Sequence, residues 1–133
     1  MVSLLLDTHI LLWWRSEPAK LSVGQAEALL ECERGNQPVA ISAITLWELA
    51  KLVERGQREI EIPLREWLEE IETHPRLRVL PLTARIIAES TQLGEGFHND
   101  PADQLIVATA RCHGLRLVTA DERIRRCGKV AVV

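Results

Sequence analysis

Val2-Ser3-Leu4-Leu5-Leu6-Asp7-Thr8 is an almost unbroken apolar run that stops at an acid and a hydroxyl. It lacks the in–out alternation of a strand with one wet face. Runs of this kind suit strands buried on both faces of a parallel sheet. Three more short runs follow it: Val39-Ala40-Ile41, Arg78-Val79-Leu80 and Leu115 to Thr119, with Val130 to Val133 as a fifth at the terminus. Between them lie helical patterns with their own punctuation. Ser22 and Gln25 have capping-box spacing and open a helix with Val23, Ala26, Leu29 and Leu30 as its apolar face, stopped at Gly35-Asn36. Ser42 caps a helix carrying Ile44, Trp47, Ala50 and Val53, ended by Gly56. Pro63 opens a third, with Leu64, Trp67, Leu68 and Ile71 inward, broken at His74-Pro75. Thr83 caps a fourth carrying Ile86, Ile87 and Leu93, ended by Gly94. Asp100-Pro101 reads as N-cap and first turn of a fifth that runs to Gly114. Strands alternating with helices predict an α/β fold with a mainly parallel sheet of four or five strands.

The 133 residues, 47% of them hydrophobic, suit one compact domain spanning residues 1–133. No apolar run reaches bilayer-spanning length, and Val2 to Leu6 has no basic segment before it, so no signal peptide or membrane partner is expected. The expectation is a soluble cytoplasmic protein. Cys32, Cys112 and Cys127 are far apart, odd in number and form no Cys-x-x-Cys pair, which argues against a disulfide framework or a zinc site. The net charge of −3 does not mark a nucleic-acid binder, but its distribution is uneven. Arg111, Arg116, Arg123, Arg125, Arg126 and Lys129 crowd the C-terminal part, against Asp121 and Glu122. Glu59 to Glu72 holds six glutamates and only Arg65 as a base. The basic stretch could face an anionic polymer, or it could be a solvated face.

Ligands of parallel α/β domains bind beyond the carboxyl ends of the strands. Asp7 follows the first strand and Asp121 the fourth. Asp100 and Asp103 sit in the first turn of a helix, and Glu48 lies in the helix after the second strand. Four segments thus deliver carboxylates to one rim. Two unit charges about 4 Å apart repel by roughly 4 kcal/mol at an effective dielectric of ~20. A hard divalent cation turns that repulsion into attraction, and oxygen-only ligation suits Mg²⁺ or Mn²⁺. Phosphodiester hydrolysis is the chemistry that most commonly uses such a site.

Each acid has a structural alternative. Asp7, Asp100 and Asp121 could be helix caps, Asp103 could favour the helix dipole, and Glu48 could be a surface residue. Thr8 and Thr119 stand beside acids at strand ends and could hold a metal-bound water or cap a helix. His9 and His98 have two open roles, contact to phosphate or packing. Trp13, Trp14, Trp47 and Trp67 fall at helical spacing, where core or interface is the commoner role than base stacking.

These segments resemble the PIN-domain ribonucleases, in particular the VapC-like toxins of type II toxin–antitoxin modules. The resemblance rests on Leu4-Leu5-Leu6-Asp7-Thr8-His9 with Leu11-Leu12-Trp13, on Ile41-Ser42-Ala43-Ile44-Thr45-Leu46-Trp47-Glu48, on His98-Asn99-Asp100-Pro101-Ala102-Asp103-Gln104-Leu105-Ile106-Val107-Ala108, and on Leu117-Val118-Thr119-Ala120-Asp121. It implies a three-layer α/β/α sandwich and Mg²⁺- or Mn²⁺-dependent cleavage of RNA. Asp7, Glu48 and Asp103 take the positions of the acidic triad and Asp121 the more variable fourth. Asp100 is an extra acid of the Asp-Pro-x-Asp subgroup. The resemblance also implies a homodimer and a small cognate antitoxin. Arg111, Arg116 or Arg123 would then steer the RNA backbone. The rival readings are a catalytically weak PIN-like binding module, a structure-specific DNA nuclease and a phospho-acceptor receiver domain. A complete acid set disfavours the first, the short chain the second, and the single acid after the first strand the third.

Overall fold

The computed structural model describes residues 1–133. Its centre is a parallel sheet of β1 (Leu4–Leu6), β2 (Val39–Ser42), β3 (Leu77–Leu80) and β4 (Arg116–Val118), in the order β3-β2-β1-β4. Around it run α1 (Thr8–Ser16), α2 (Val23–Arg34), α3 (Ala43–Glu54), α4 (Leu64–Glu72), α5 (Ala84–Ser90), α6 (Pro101–His113) and α7 (Glu122–Arg126).

The Leu4-Leu5-Leu6 run does what its composition requires. Strand residues alternate faces. Leu4 and Leu6 join Val39, Ile41 and Val118 in a core with Leu11, Leu29, Leu49 and Ile71. Leu5 joins Ala40 and Leu117 in a second core with Ile106, Val107, Ala110 and Ile124. Helices therefore cover both faces, giving three layers. Burying each such leucine stabilises the fold by roughly 1.5–3 kcal/mol. No helix is long and apolar enough to cross a membrane.

The register pairs Leu5 with both Ala40 and Leu117. From β1 the chain steps to β2 and β3 on one side, then returns to place β4 on the other. The carboxyl ends of β1 and β4 thus flank a point where the chain's winding reverses, which is where α/β sheets form crevices.

Three sequence expectations shift. The fifth strand shrinks to one parallel bridge, Leu117 with Val132. The Val133 carbonyl at its end is taken by side chains, Gln25 Nε2 at 3.3 Å and Arg125 Nη1 at 2.7 Å, so the ladder does not extend. The buried face of α2 is Gln25, Leu29 and Cys32, while Val23 is 77% exposed. That face is centred on a polar residue, which hydrophobic spacing cannot reveal. α5 ends at Ser90, so Leu93 is buried from the following loop and Ile87 points outward. The expected caps are present: Ser22 and Gln25 form the reciprocal capping box, Ser42 and Thr83 accept from Ile44 and Ile86, and Gly114 is left-handed beyond α6.

Candidate functional site

The rim beyond β1 and β4 carries a cavity of about 330 Å³ lined by Asp7, Glu48, Asp100, Asp103 and Asp121, together with Arg123. All five acids singled out from the sequence therefore meet in one place. Each arrives by a local rule. Asp7 ends β1 and caps α1, its Oδ1 accepting from Thr8 N at 2.8 Å. Asp100 caps α6 by accepting from Ala102 N and Asp103 N. Asp121 caps α7 by accepting from Arg123 N and Ile124 N. Capping and clustering are thus compatible, because helices that follow strand ends start at this rim. Glu48 comes from the second turn of α3, and Asp103 from the first turn of α6.

The two threonines orient acids rather than cap helices with their hydroxyls. Thr119 Oγ1 donates to Asp7 Oδ2 at 2.7 Å and accepts from Asp121 N at 3.1 Å. Thr8 Oγ1 donates to Glu48 Oε1, and the Thr45 hydroxyl lies 3.1 Å from Thr8 Oγ1. Behind Thr119, its carbonyl accepts from Gln25 Nε2 at 3.1 Å and Arg125 Nη1 at 2.9 Å. One chain of contacts therefore runs from α2 and α7 through Thr119 to Asp7.

The charge at the rim is poorly compensated. Burial raises the Asp7 carboxyl above its ordinary value, against the hydrogen bonds from Thr119 and Thr8. Burial pushes Glu48 up to about 7; the Thr8 hydrogen bond opposes this, while Asp7, Asp103 and Asp100 add to it. Asp103 is raised by burial and by Asp7 and Asp100, with the His98 hydrogen bond opposing. Asp121 differs: burial raises it, but hydrogen bonds from Arg123 and Ile124 outweigh this and leave it low. Raised carboxyls gathered in a cleft fit a cation-binding role, because a cation would offset both burial and mutual repulsion.

The sequence leaves His98 open between a phosphate contact and a packing role, and the structure sets it against an acid. Its Nε2 lies 2.7 Å from Asp103 Oδ2, and its ring stacks on Phe97 at a centroid distance of 4.5 Å. Donor atoms of His98, Asp103 and Asp121 all lie within 4.8 Å of one another. Ligands around an octahedral Mg²⁺ at about 2.1 Å stand about 3–4 Å apart, so these three groups converge on a volume of the right order, with the His98–Asp103 pair held by a hydrogen bond. Its position two residues before the Asp-Pro pair was the only available signal. His9 lines the same cavity.

The basic residues sort differently from expectation. Arg123 lies at the rim, 3.3 Å from Asp121 Oδ2 and 3.9 Å from Asp103 Oδ2. Arg111 and Arg116 do not: they flank the α6–β4 turn at the amino end of the strands, in another cavity of about 480 Å³. The turn that joins a helix to a parallel strand lies at the end of the sheet opposite the acids. Trp47 also departs from a core role, being 53% exposed, because the buried face of α3 is centred on Thr45 and Leu49.

Comparison with known proteins gives three findings. A family model described as the PIN domain matches residues 4–130. Ribonuclease VapC22 of Mycobacterium tuberculosis is 38% identical over 125 residues, covering 94% of this chain and 92% of that protein. Among solved structures, FitAcB from Neisseria gonorrhoeae matches at 28% identity and a TM-score of 0.62, covering 97% of this chain and 95% of that one. VapBC2 from Rickettsia felis, bound to a DNA fragment from its promoter, matches at TM-score 0.71 over 100% of this chain and 98% of that one; at 19% identity it speaks to the fold alone.

Proposed function

The chain belongs to the PIN-domain family, and from that premise we propose that it is a metal-dependent endoribonuclease and the toxin of a type II toxin–antitoxin pair. The observation that carries this reading is the convergence of Asp7, Glu48, Asp103 and Asp121 in one cavity with Arg123 as the only arginine or lysine among its lining residues. Asp7, Asp103 and Asp121 would hold a Mg²⁺ or Mn²⁺ ion, with Asp100 close by as a helix cap. The donor set is mostly carboxylate oxygen, which favours these ions over zinc. When bound, such an ion supplies Lewis acidity to water and to the phosphoryl oxygens.

The chain's own residues divide the remaining work. Thr119 and Thr8 N hold both oxygens of Asp7, so its orientation is set before substrate arrives. Thr8 occupies Glu48 Oε1 and leaves Oε2 for a proton. In the metal-free protein burial and the neighbouring acids push Glu48 up to about 7; a cation held by those acids would lower it, leaving Glu48 as the anion that general-base work needs. In the proposed step, water attacks phosphorus in line, Glu48 accepts its proton, the bond to the leaving ribose oxygen breaks, and that oxygen takes a proton from solvent. Arg123 steers the RNA backbone to the cleft. The partners proposed are an RNA substrate, a cognate antitoxin protein and a second copy of the chain. Support for the antitoxin comes from the matched solved structure described as a toxin–antitoxin complex from Klebsiella pneumoniae, 27% identical.

The test is Asp7→Asn, which removes the charge and keeps the cap through its Oδ1, while its Nδ2 meets the Thr119 hydroxyl as a donor instead of an acceptor. Purified variant and parent are compared on a mixed RNA pool with Mg²⁺, Mn²⁺ and chelator. Loss of metal-dependent cleavage is expected. Undiminished cleavage overturns the assignment.

A further inference from the structure

We infer that the groove between α3 and the start of α6 is a subsite for one unpaired ribonucleotide next to the scissile phosphate, with the Trp47 indole as its stacking platform. The inference rests on the ribonuclease reading and says where the substrate lies.

The groove is a cavity of about 330 Å³ lined by Thr8, Trp47, Lys51, Arg55 and Pro101, among others. It shares His9, Glu48 and Asp100 with the acidic cavity, so the two form one continuous depression with Glu48 on the wall between them. Its size is near the lower end of small-ligand sites, about 300–1,000 Å³, which fits one nucleotide. Trp47 leaves half its surface in water beside this groove. Tryptophan is usually well buried, so an exposed indole at the lip of a reactive cleft is informative.

Trp47, Lys51 and Arg55 follow one another at four-residue intervals, about 6 Å per step along the α3 axis. They form a ridge with one aromatic face and two cations. Lys51 Nζ stands 5.5 Å from the Trp47 ring centroid. It also pairs with Glu54, an exposed contact of the weak kind that a phosphate can replace. Arg55 makes no ion pair. An aromatic platform flanked by cations is the arrangement that binds single-stranded nucleic acid, where bases stack and backbone phosphates meet positive charge. A base inside a duplex has both faces covered by its stacking neighbours, so the subsite selects loops and single strands. Charge complementarity and continuity with the acidic cavity favour RNA over a peptide: a phosphodiester brought to the acids must continue somewhere, and this side supplies the cations.

The test is a cycle between protein and substrate. A single-stranded oligoribonucleotide with one cleavage site is made intact and with an abasic residue walked along it. Each form is assayed for kcat/KM with parent, Trp47→Ala and Trp47→Leu proteins. The parent is expected to lose about tenfold at one abasic position flanking the cut. Both variants are expected to lose about tenfold on intact RNA and nothing further at that position. Trp47→Leu keeps apolar bulk without a stacking face, so it separates stacking from packing if Trp47→Ala folds poorly. The double variant Lys51→Ala, Arg55→Ala is expected to flatten the salt dependence of KM. An abasic penalty unchanged in both Trp47 variants overturns the inference, as does a loss confined to capture of a partner protein. Absence of RNA cleavage by the parent overturns the ribonuclease reading instead.

Discussion

The two ends of the sheet hold opposite charges and treat them in opposite ways. At the amino end, Arg111 is paired: its Nε donates to Glu89 Oε1 at 2.7 Å and its Nη1 to the Lys129 carbonyl. At the carboxyl end, Asp7, Glu48 and Asp103 face one another, and burial and mutual repulsion raise all three carboxyls. The amino-end cavity is the larger of the two, about 480 Å³ against 330 Å³. Size is therefore a poor guide here. A paired charge such as Arg111 is kept at little cost, whereas acids buried against one another are kept at a cost that a bound cation would offset.

The strongest way to break this contrast is to remove one charge at each end. Asp103→Asn is expected to reduce metal-dependent RNA cleavage by about a thousandfold, in the range that follows loss of a group stabilising charge in a transition state. The same change should raise the melting temperature of metal-free protein, because it removes a repulsive partner of Glu48. It should also abolish any rise in melting temperature on adding Mn²⁺. A metal-free variant less stable than the parent would show that the rim acids are already compensated.

Gln25 tests how far the site extends into the scaffold. Its Nε2 donates to the carbonyls of Thr119 and Val133, and Arg125 Nη1 donates to the same two oxygens. Gln25→Ala strips a donor from the carbonyls of buried Thr119 and half-buried Val133 and is expected to cost about 1–3 kcal/mol in chemical denaturation. Since Arg125 shares the acceptors, the double variant with Arg125→Ala should cost more than the sum of the singles. Strict additivity would mean that the two side chains do not act as one clamp on Thr119.

The sheet, its caps and its acid rim were legible in the sequence because each follows a one-dimensional rule. Leu4 to Leu6 is apolar without alternation, Ser22, Ser42, Thr83 and Asp100 stand at cap positions, and acids follow strand ends. What stayed hidden is polar and buried. The inner faces of α2 and α3 are centred on Gln25 and Thr45, each serving a contact distant in sequence. A hydrophobic stripe drawn without those residues rotates, which is why Val23 and Trp47 looked internal. The two ends of the sheet cannot be told apart by charge alone either. Arg111 and Arg116 lie close in sequence to Asp121, yet the length of β4 separates them from it.

The pH dependence of stability comes next in size. Glu48 titrates near 4.5 when unfolded and about 7 when folded. Its neutral form is thus favoured by folding. That stability is fully present below pH 4.5 and is lost as pH rises through 7. Asp7 and Asp103, also raised, act with the same sign, while Asp121, lowered, opposes them. Metal-free protein should therefore be more stable at pH 5 than at pH 8. Solvent reaches part of Glu48, so its share is roughly 1–2 kcal/mol rather than the full shift. Denaturation at both pH values measures it. Glu48→Gln should shrink the difference, and saturating Mn²⁺ should reverse it.

The smallest effects belong to the amino end, and they sharpen the contrast by being small. Arg111→Gln breaks a half-exposed ion pair with Glu89 and a hydrogen bond to Lys129 O, which is expected to cost about 1 kcal/mol. Arg116 is exposed and makes no ion pair, so Arg116→Gln should stay within about 0.5 kcal/mol. Neither should change RNA cleavage more than about threefold, since surface charges farther than a Debye length of about 8 Å act weakly at physiological salt. Arg123→Gln, at the other end, should raise KM and weaken its dependence on salt. If Arg116→Gln impaired cleavage as much as Arg123→Gln, the RNA would have to wrap the whole sheet. The amino end would then be a second part of the substrate path rather than a structural counterweight.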